Sequence, residues 1–173
     1  QIRKILAFSS ISHLGWMTII ISYNPKLTLL NFYLYIMMTT TVFLILNSIK
    51  TLKLSTLMTS WTKTPALSAM LLLTLLSLAG LPPLTGFLPK WLIIQELTKQ
   101  SMAPTAAMIS ILSLLSLFFY LRLAYCATIT LPPNTTNYMK QWHSKKPTST
   151  VIAILTITST LLLPASPMII TTI

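Results

Sequence analysis

One hydrophobic segment, residues 66–97, constrains the fold of this chain more than any other, because it is long, apolar and broken at its midpoint. Lys90 follows the break almost at once. Hydrocarbon satisfies neither freed peptide groups nor charge, so irregular backbone and a lysine are both rare inside a membrane span. Their combination predicts a segment that lines a buried polar path. The residues that break the helix are Gly80, Pro82, Pro83, Gly86 and Pro89.

Composition assigns the whole chain to the membrane class. Of 173 residues, 54% are hydrophobic and 8% are charged, and the mean hydropathy is +0.77. A soluble domain has about a quarter charged residues. We therefore predict an all-α integral membrane protein with about five transmembrane helices, the third one broken, forming a single transmembrane domain over residues 1–173. The predicted spans are 5–23, 27–46, 66–97, 103–128 and 151–173, with polar loops at 47–65 and 132–149.

Basic residues outnumber acidic ones by twelve to one, and Glu96 is the only acid. The basic residues occur singly or in pairs between apolar runs, and they do not form a basic face interleaved with aromatic residues. We therefore exclude nucleic-acid binding and interpret them as topology signals and lipid contacts. If every segment crosses, one face collects eight of them and the other two, which favours a full crossing of the third segment over a re-entrant one. The eight are Arg3, Lys4, Lys50, Lys53, Lys63, Lys140, Lys145 and Lys146.

This orientation places the basic face in the matrix or cytoplasm. It also places Asn134, which matches the glycosylation pattern, on the side where no glycosylation occurs, so we interpret that match as chance. Anionic phospholipid such as cardiolipin is a plausible contact for the basic residues of the 132–149 loop, Lys140, Lys145 and Lys146.

Lys90 has two interpretations. A lysine near the end of a span usually extends to the headgroups. However, helix side chains tilt toward the N-terminus, so this one is directed back toward the break. Pro89 suits the first turn of the second half-helix, which places Lys90 at the positive end of that helix. Because ionisable groups inside a membrane mark ion and proton pathways, we predict that Lys90 is a proton-relay residue.

His13 lies near the middle of the first span, on one helix face with Ser9, Ser12 and Trp16. It is either a neutral packing residue or a second proton-relay residue, since imidazole takes a proton on one nitrogen and gives one from the other. The sequence alone is compatible with both interpretations of His13.

Other polar residues have simpler interpretations. Glu96 and Lys99 have the spacing of a modest helix ion pair. Arg122 is interpreted as an interface anchor, residues 39–41 as threonines bonded to their own helix, and His143 as a loop residue. The single cysteine, Cys126, excludes an internal disulfide. We predict no catalytic residues and no metal site, since no nucleotide loop, metal cluster or activated nucleophile is visible.

Two stretches carry a family resemblance: RKILAFSSISHLGW at 3–16 and LPPLTGFLPKW at 81–91. They resemble the chain 2 family of NADH–ubiquinone oxidoreductase, the antiporter-like membrane subunits of respiratory complex I. The resemblance continues through FYLR at 119–122 and the 140–147 loop to the C-terminus, so it covers nearly the whole chain.

The resemblance implies two inverted helix units, each with a broken helix that carries an ionisable residue. Lys90 is then the broken-helix lysine of the second unit, and His13 belongs to the polar axis of the membrane arm. The first unit has no counterpart here, so we expect this chain to be the C-terminal half of a longer subunit.

The expected function is proton translocation in the mitochondrial inner membrane, coupled to NADH:ubiquinone oxidoreduction elsewhere in the complex. Other membrane-arm subunits are the implied partners. No cofactor is expected in this chain; FMN, iron–sulfur clusters and ubiquinone belong to other subunits. Two alternatives remain: a cation/proton antiporter subunit that uses the same lysine, and a structural membrane-arm subunit without a proton relay.

Overall fold

The computed structural model describes residues 1–51, 53–129 and 149–166. All regular structure within these ranges is helical. The helices, numbered in chain order, are α1 (Ile2–Ile20), α2 (Pro25–Ile49), α3 (Leu54–Met58), α4 (Ser60–Lys63), α5 (Pro65–Ala79), α6 (Phe87–Lys99), α7 (Ala103–Ile129) and α8 (Ser149–Leu161), followed by a 3₁₀ turn at Leu163–Ala165.

Two of these helices, α2 and α7, are long and apolar enough to cross a membrane, as judged from the described residues. The shorter helix α5 and the Thr150–Leu161 part of α8 are also apolar. Only 17% of the most apolar stretch of α7 is buried within the chain. Its exposed side chains include Leu114, Leu115 and Phe118. An apolar surface of this extent requires lipid or another protein against it.

The turn between α1 and α2 is set by Asn24. Its side chain accepts hydrogen bonds from the backbone N–H groups of Lys26 and Leu27, and Pro25 occupies the first turn of α2. Asn24 and Pro25, which end the first hydrophobic run in sequence, therefore also begin the second helix. Helix α1 begins at Ile2, before the start of its predicted span, and ends at Ile20. Helix α2, from Pro25 to Ile49, extends beyond both ends of its predicted span.

Two predicted features differ from the structure. The expected polar loop at 47–65 contains α3 and α4, because Leu57 and Ser60 are buried and draw this segment onto the bundle. Within the expected last span, 151–173, the α-helix is interrupted after Leu161, and the described residues end at 166. Pro164 lacks an N–H and disfavours helical backbone in the residue before it, which accounts for the change to a 3₁₀ turn.

Helix α2 is at the centre of the packing and contacts α1, α5, α6 and α8. One apolar core joins α2 to α5 through Met38, Val42, Ile45, Leu71 and Leu78. A second core joins α1 to α6 through Trp16, Ile20, Leu88, Ile93 and Leu97. The broken segment α5–α6 therefore belongs to both cores.

Several predictions concern residues outside the described ranges. They are the lipid contacts at Lys140, Lys145 and Lys146, the glycosylation pattern at Asn134, the loop assignment of His143 and the end of the last predicted span at residues 167–173.

Candidate functional site

Gly80 ends α5 in a left-handed conformation, with φ of 84°. Its N–H bonds to the carbonyl oxygen of Ser77 at 3.0 Å, which closes the last turn of the helix. A Cβ at this position would lie 2.9 Å from the Nζ atom of Lys90. Glycine is therefore required at position 80 for two reasons: the positive φ angle and the space that the Lys90 side chain occupies.

The connection from α5 to α6 is a short turn whose backbone bonds to itself, from Leu84 N–H to Leu81 O at 2.9 Å and from Phe87 N–H to Leu84 O at 3.1 Å. At Gly86 the chain packs directly on the carbonyl of Ser77, and any Cβ there would collide with it. Pro89 lies in the first turn of α6, as the sequence predicts. The two half-helices therefore meet in backbone contact.

Lys90 extends across this break. Its Nζ donates a hydrogen bond of 2.8 Å to the carbonyl oxygen of Ala79, one of the orphan carbonyls at the C-terminus of α5. The side chain thus points toward the break, as the helix tilt predicts, and away from the far end of α6. Sequence reasoning considered only the positive end of α6. In the structure the ammonium also lies at the negative end of α5.

His13 of α1 is buried, with 8% of its surface exposed. Its ring packs on the ring of Tyr35 from α2, with centroids 4.8 Å apart and the planes tilted by 32°. His13 and Lys90 line the same cavity of about 250 Å³, which is bounded by α1, α5, α6 and α7. The structure thus brings together the two residues that the sequence singles out.

Hydroxyl groups form the polar part of this cavity. They belong to Ser12, Ser113, Ser116 and Tyr120, among apolar walls. Each of the three serines donates to a carbonyl of its own helix at 2.7 Å, so its oxygen is left to accept a hydrogen bond from water. A cavity of this size with several polar partners can hold a small group of water molecules.

A groove between α1 and α7 continues from the cavity. Its volume is about 340 Å³, and it shares Ser12, Ser116 and Tyr120 with the cavity while adding Ser9. The Tyr120 hydroxyl is buried without a hydrogen-bond partner among the described residues, and Ser9 lines the same groove. A buried orphan hydroxyl is costly unless water reaches it. The two spaces together form a hydroxyl-lined route from Lys90 along α1.

Tyr35, Ser113, Ser116 and Tyr120 are absent from the sequence predictions. A signal for three of them is nevertheless visible: Ser110, Ser113, Ser116 and Tyr120 recur at helical spacing and form one polar stripe on an otherwise apolar helix. Tyr35 has no such signal, because only packing brings its ring to His13.

The remaining polar residues lie away from the cavity. Glu96 and Lys99 form the predicted ion pair, with Nζ to Oε2 at 3.6 Å. Arg122 is exposed. The hydroxyls of Thr39, Thr40 and Thr41 bond to carbonyls of their own helix, as predicted. Among the described residues, no three His, Cys, Asp or Glu side chains are grouped as metal ligands would be.

Known proteins resemble the chain along its length. Residues 1–116 match the family model described as NADH:quinone oxidoreductase/Mrp antiporter, transmembrane, and residues 117–170 match NADH dehydrogenase subunit 2 C-terminus. Proteins named NADH-ubiquinone oxidoreductase chain 2 are similar over nearly the whole chain: that of Struthio camelus is 75% identical over 98% of it, and that of Gallus gallus 72% over 99%. The chain covers 49% of the length of each of these relatives.

Proposed function

The chain belongs to the NADH:quinone oxidoreductase/Mrp antiporter transmembrane family, and from this premise we propose that it forms part of a proton-translocating membrane subunit of respiratory complex I, chain 2. The high identity to proteins of that name supports the assignment. In this proposal NADH oxidation and ubiquinone reduction occur in other subunits, which hold the FMN and iron–sulfur cofactors. This chain contributes a proton path and no redox chemistry of its own.

The observation that carries the proposal is the position of the Lys90 ammonium. It is bonded to the Ala79 carbonyl at a helix break and opens onto a hydroxyl-lined cavity that it shares with His13. An ionisable side chain inside a membrane protein, facing a cavity rather than lipid, is the usual mark of an ion or proton route. No carboxylate lines this cavity among the described residues, so no fixed ion pair neutralises the lysine there.

In the proposed relay the proton leaves the Lys90 ammonium for water in the cavity, and the neutral amine accepts the next proton from water. His13 takes a proton on one ring nitrogen while it releases one from the other. The serine and Tyr120 hydroxyls, which donate and accept, hold the water chain in place between them. A change of charge at a neighbouring site shifts the balance between the two states of Lys90, which couples the relay to events elsewhere in the complex.

The same proposal extends to architecture and location. Helices α5 and α6 together form one broken span within a single transmembrane domain of about five spans, the second of two inverted units. The chain is then a multi-pass protein of the mitochondrial inner membrane, assembled with other membrane-arm subunits and with phospholipid. In this arrangement the Lys90 side chain lies on the polar axis that runs through the membrane arm of the complex.

The test uses intact complex I that carries the full-length subunit with Lys90→Met, reconstituted into sealed vesicles. Removal of the ammonium leaves the apolar stem but no exchangeable proton, so proton transfer by this path should slow by about a hundredfold or more. Protons moved per NADH oxidised are measured together with assembly. Lys99→Met, which alters the exposed lysine of the same helix, is the matched control and should pump normally. Normal pumping by the Lys90→Met complex would refute the relay.

A cation/proton antiporter subunit is the second candidate, because the matched family also includes Mrp antiporters. It uses the same lysine and cavity. A dependence of transport on sodium in the same vesicles would favour it over the proton-only relay.

A further inference from the structure

A second pocket lies apart from the relay cavity, where α1 begins and α2 ends. Its volume is about 370 Å³. Four polar residues line it, Arg3, Asn47, Lys50 and Thr51, and its apolar wall consists of Ile2, Phe43 and Leu46.

The basic groups in this pocket have no acidic partner among the residues that the structure describes. The chain has one acidic side chain, Glu96, and it pairs with Lys99 on another helix. Arg3 and Lys50 are exposed and make no ion pair among the described residues. Two positive groups therefore converge on one space without a counter-charge from this chain.

Thr51 provides an independent observation. Its side chain is 5% exposed, and its Oγ1 atom has no hydrogen-bond partner within the part of the chain that the structure describes. Lys50, directly before it, adopts a left-handed conformation with φ of 58°, which is uncommon for a lysine. The backbone N–H groups of both residues bond to carbonyl oxygens at the end of α2, and both residues line the pocket.

The apolar wall selects among anionic ligands. Free inorganic phosphate gains nothing from Phe43, whose ring is 52% exposed, or from the Leu46 surface beside it. A phospholipid uses both halves of the pocket, with the phosphate against the basic groups and an acyl chain along α2. Basic pockets between membrane helices on the matrix or cytoplasmic side are typical sites for anionic headgroups.

We propose that this pocket binds an anionic phospholipid, with Arg3, Lys50 and the Thr51 hydroxyl donating hydrogen bonds to its phosphate and with Phe43 and Leu46 in contact with an acyl chain. The proposal rests on the membrane placement given under the proposed function, but not on the proton relay. It concerns a different part of the chain from the loop lysines to which sequence analysis assigned lipid contacts.

The experiment uses purified complex I with the full-length subunit in nanodiscs of phosphatidylcholine. A photoactivatable phosphatidylglycerol, with a diazirine on one acyl chain, is added at a low mole fraction, and crosslinks are mapped by mass spectrometry. We expect labelling of the α2 segment around Phe43. The double variant Arg3→Gln/Lys50→Gln should reduce that labelling by about tenfold, since each basic group near the surface contributes to headgroup attraction.

The matched control is Lys4→Gln/Lys53→Gln, which removes the same charge from nearby residues that do not line the pocket. It should label like the wild type. Thr51→Val changes one hydroxyl and no charge, so it tests the pocket even if the double variant does not assemble. We expect it to lower labelling several-fold.

Three results would overturn the proposal. The first is equal labelling by a photoactivatable phosphatidylcholine. The second is equal loss in the control variant, which would reduce the effect to general surface charge. The third is displacement of the lipid by millimolar inorganic phosphate, which would identify a free-phosphate site. Labelling in the Lys90→Met complex should match the wild type, so failure of the relay and failure of the lipid site remain distinguishable.

Discussion

Gly80 meets two constraints at once, a left-handed backbone and a lysine amine against its α-carbon. We predict that Gly80→Ala destabilises the subunit by about 1–2 kcal/mol through the backbone alone, and that it also displaces the Lys90 amine from Ala79. Thermal unfolding of the complex and protons per NADH are the measurements. Gly15→Ala is the control for thermal unfolding, because a Cβ there meets nothing within 4 Å and lies inside a helix. It is not a control for pumping, since Gly15 lines the relay cavity. Equal effects from both would contradict this account.

A substitution at His13 that keeps a polar side chain but removes proton exchange distinguishes a relay residue from a packing residue. His13→Gln retains a hydrogen-bonding side chain of similar size but has no ring nitrogen to titrate. If His13 belongs to the relay, as proposed, assembly persists while protons per NADH fall. If its role is to pack against Tyr35, pumping persists and thermal stability falls instead.

Helix α7 packs on α3, α5 and α6, and its polar stripe lines the groove that separates it from α1. Tyr120→Phe removes only the orphan hydroxyl at the centre of that groove. We predict slower proton transfer in an intact complex, since the aromatic packing is retained while one site that holds water is lost. A purely structural hydroxyl without a partner would make the variant more stable at unchanged pumping. Tyr125→Phe, exposed on the same helix, is the control and should have no effect.

Elements differ in how far their own sequence determines them. The break between α5 and α6 follows from local rules, since glycine at a helix end and proline in a first turn act within a few residues. The direction of Lys90 follows from the tilt of helix side chains. The short helices α3 and α4 carry too few residues for a periodic signal, and their burial against the bundle determines them.

For the whole molecule, composition indicates the membrane class, because 8% of its residues are charged and a soluble domain has about a quarter. The composition of the cavity could not be predicted, since it requires α1, α5 and α7 to meet around Lys90. Tyr35 and Tyr120 are ordinary aromatic residues in sequence, and their position beside His13 and Ser9 depends on packing between helices distant in the chain. Local sequence thus predicts the position of Lys90 at the helix break, whereas the residues around it are determined by tertiary packing.

The two contacts that join α5 to α6 differ in kind, and this difference has a mechanical consequence. At Gly86 the half-helices touch backbone to backbone, with no side chain that could yield. At Lys90 they are joined by one hydrogen bond from a titratable amine. The backbone contact at Gly86 can therefore act as a hinge point, whereas the Lys90 hydrogen bond can break and form again. This hydrogen bond is strongest when the amine carries its proton. We therefore expect the angle between α5 and α6 to change when Lys90 loses its proton.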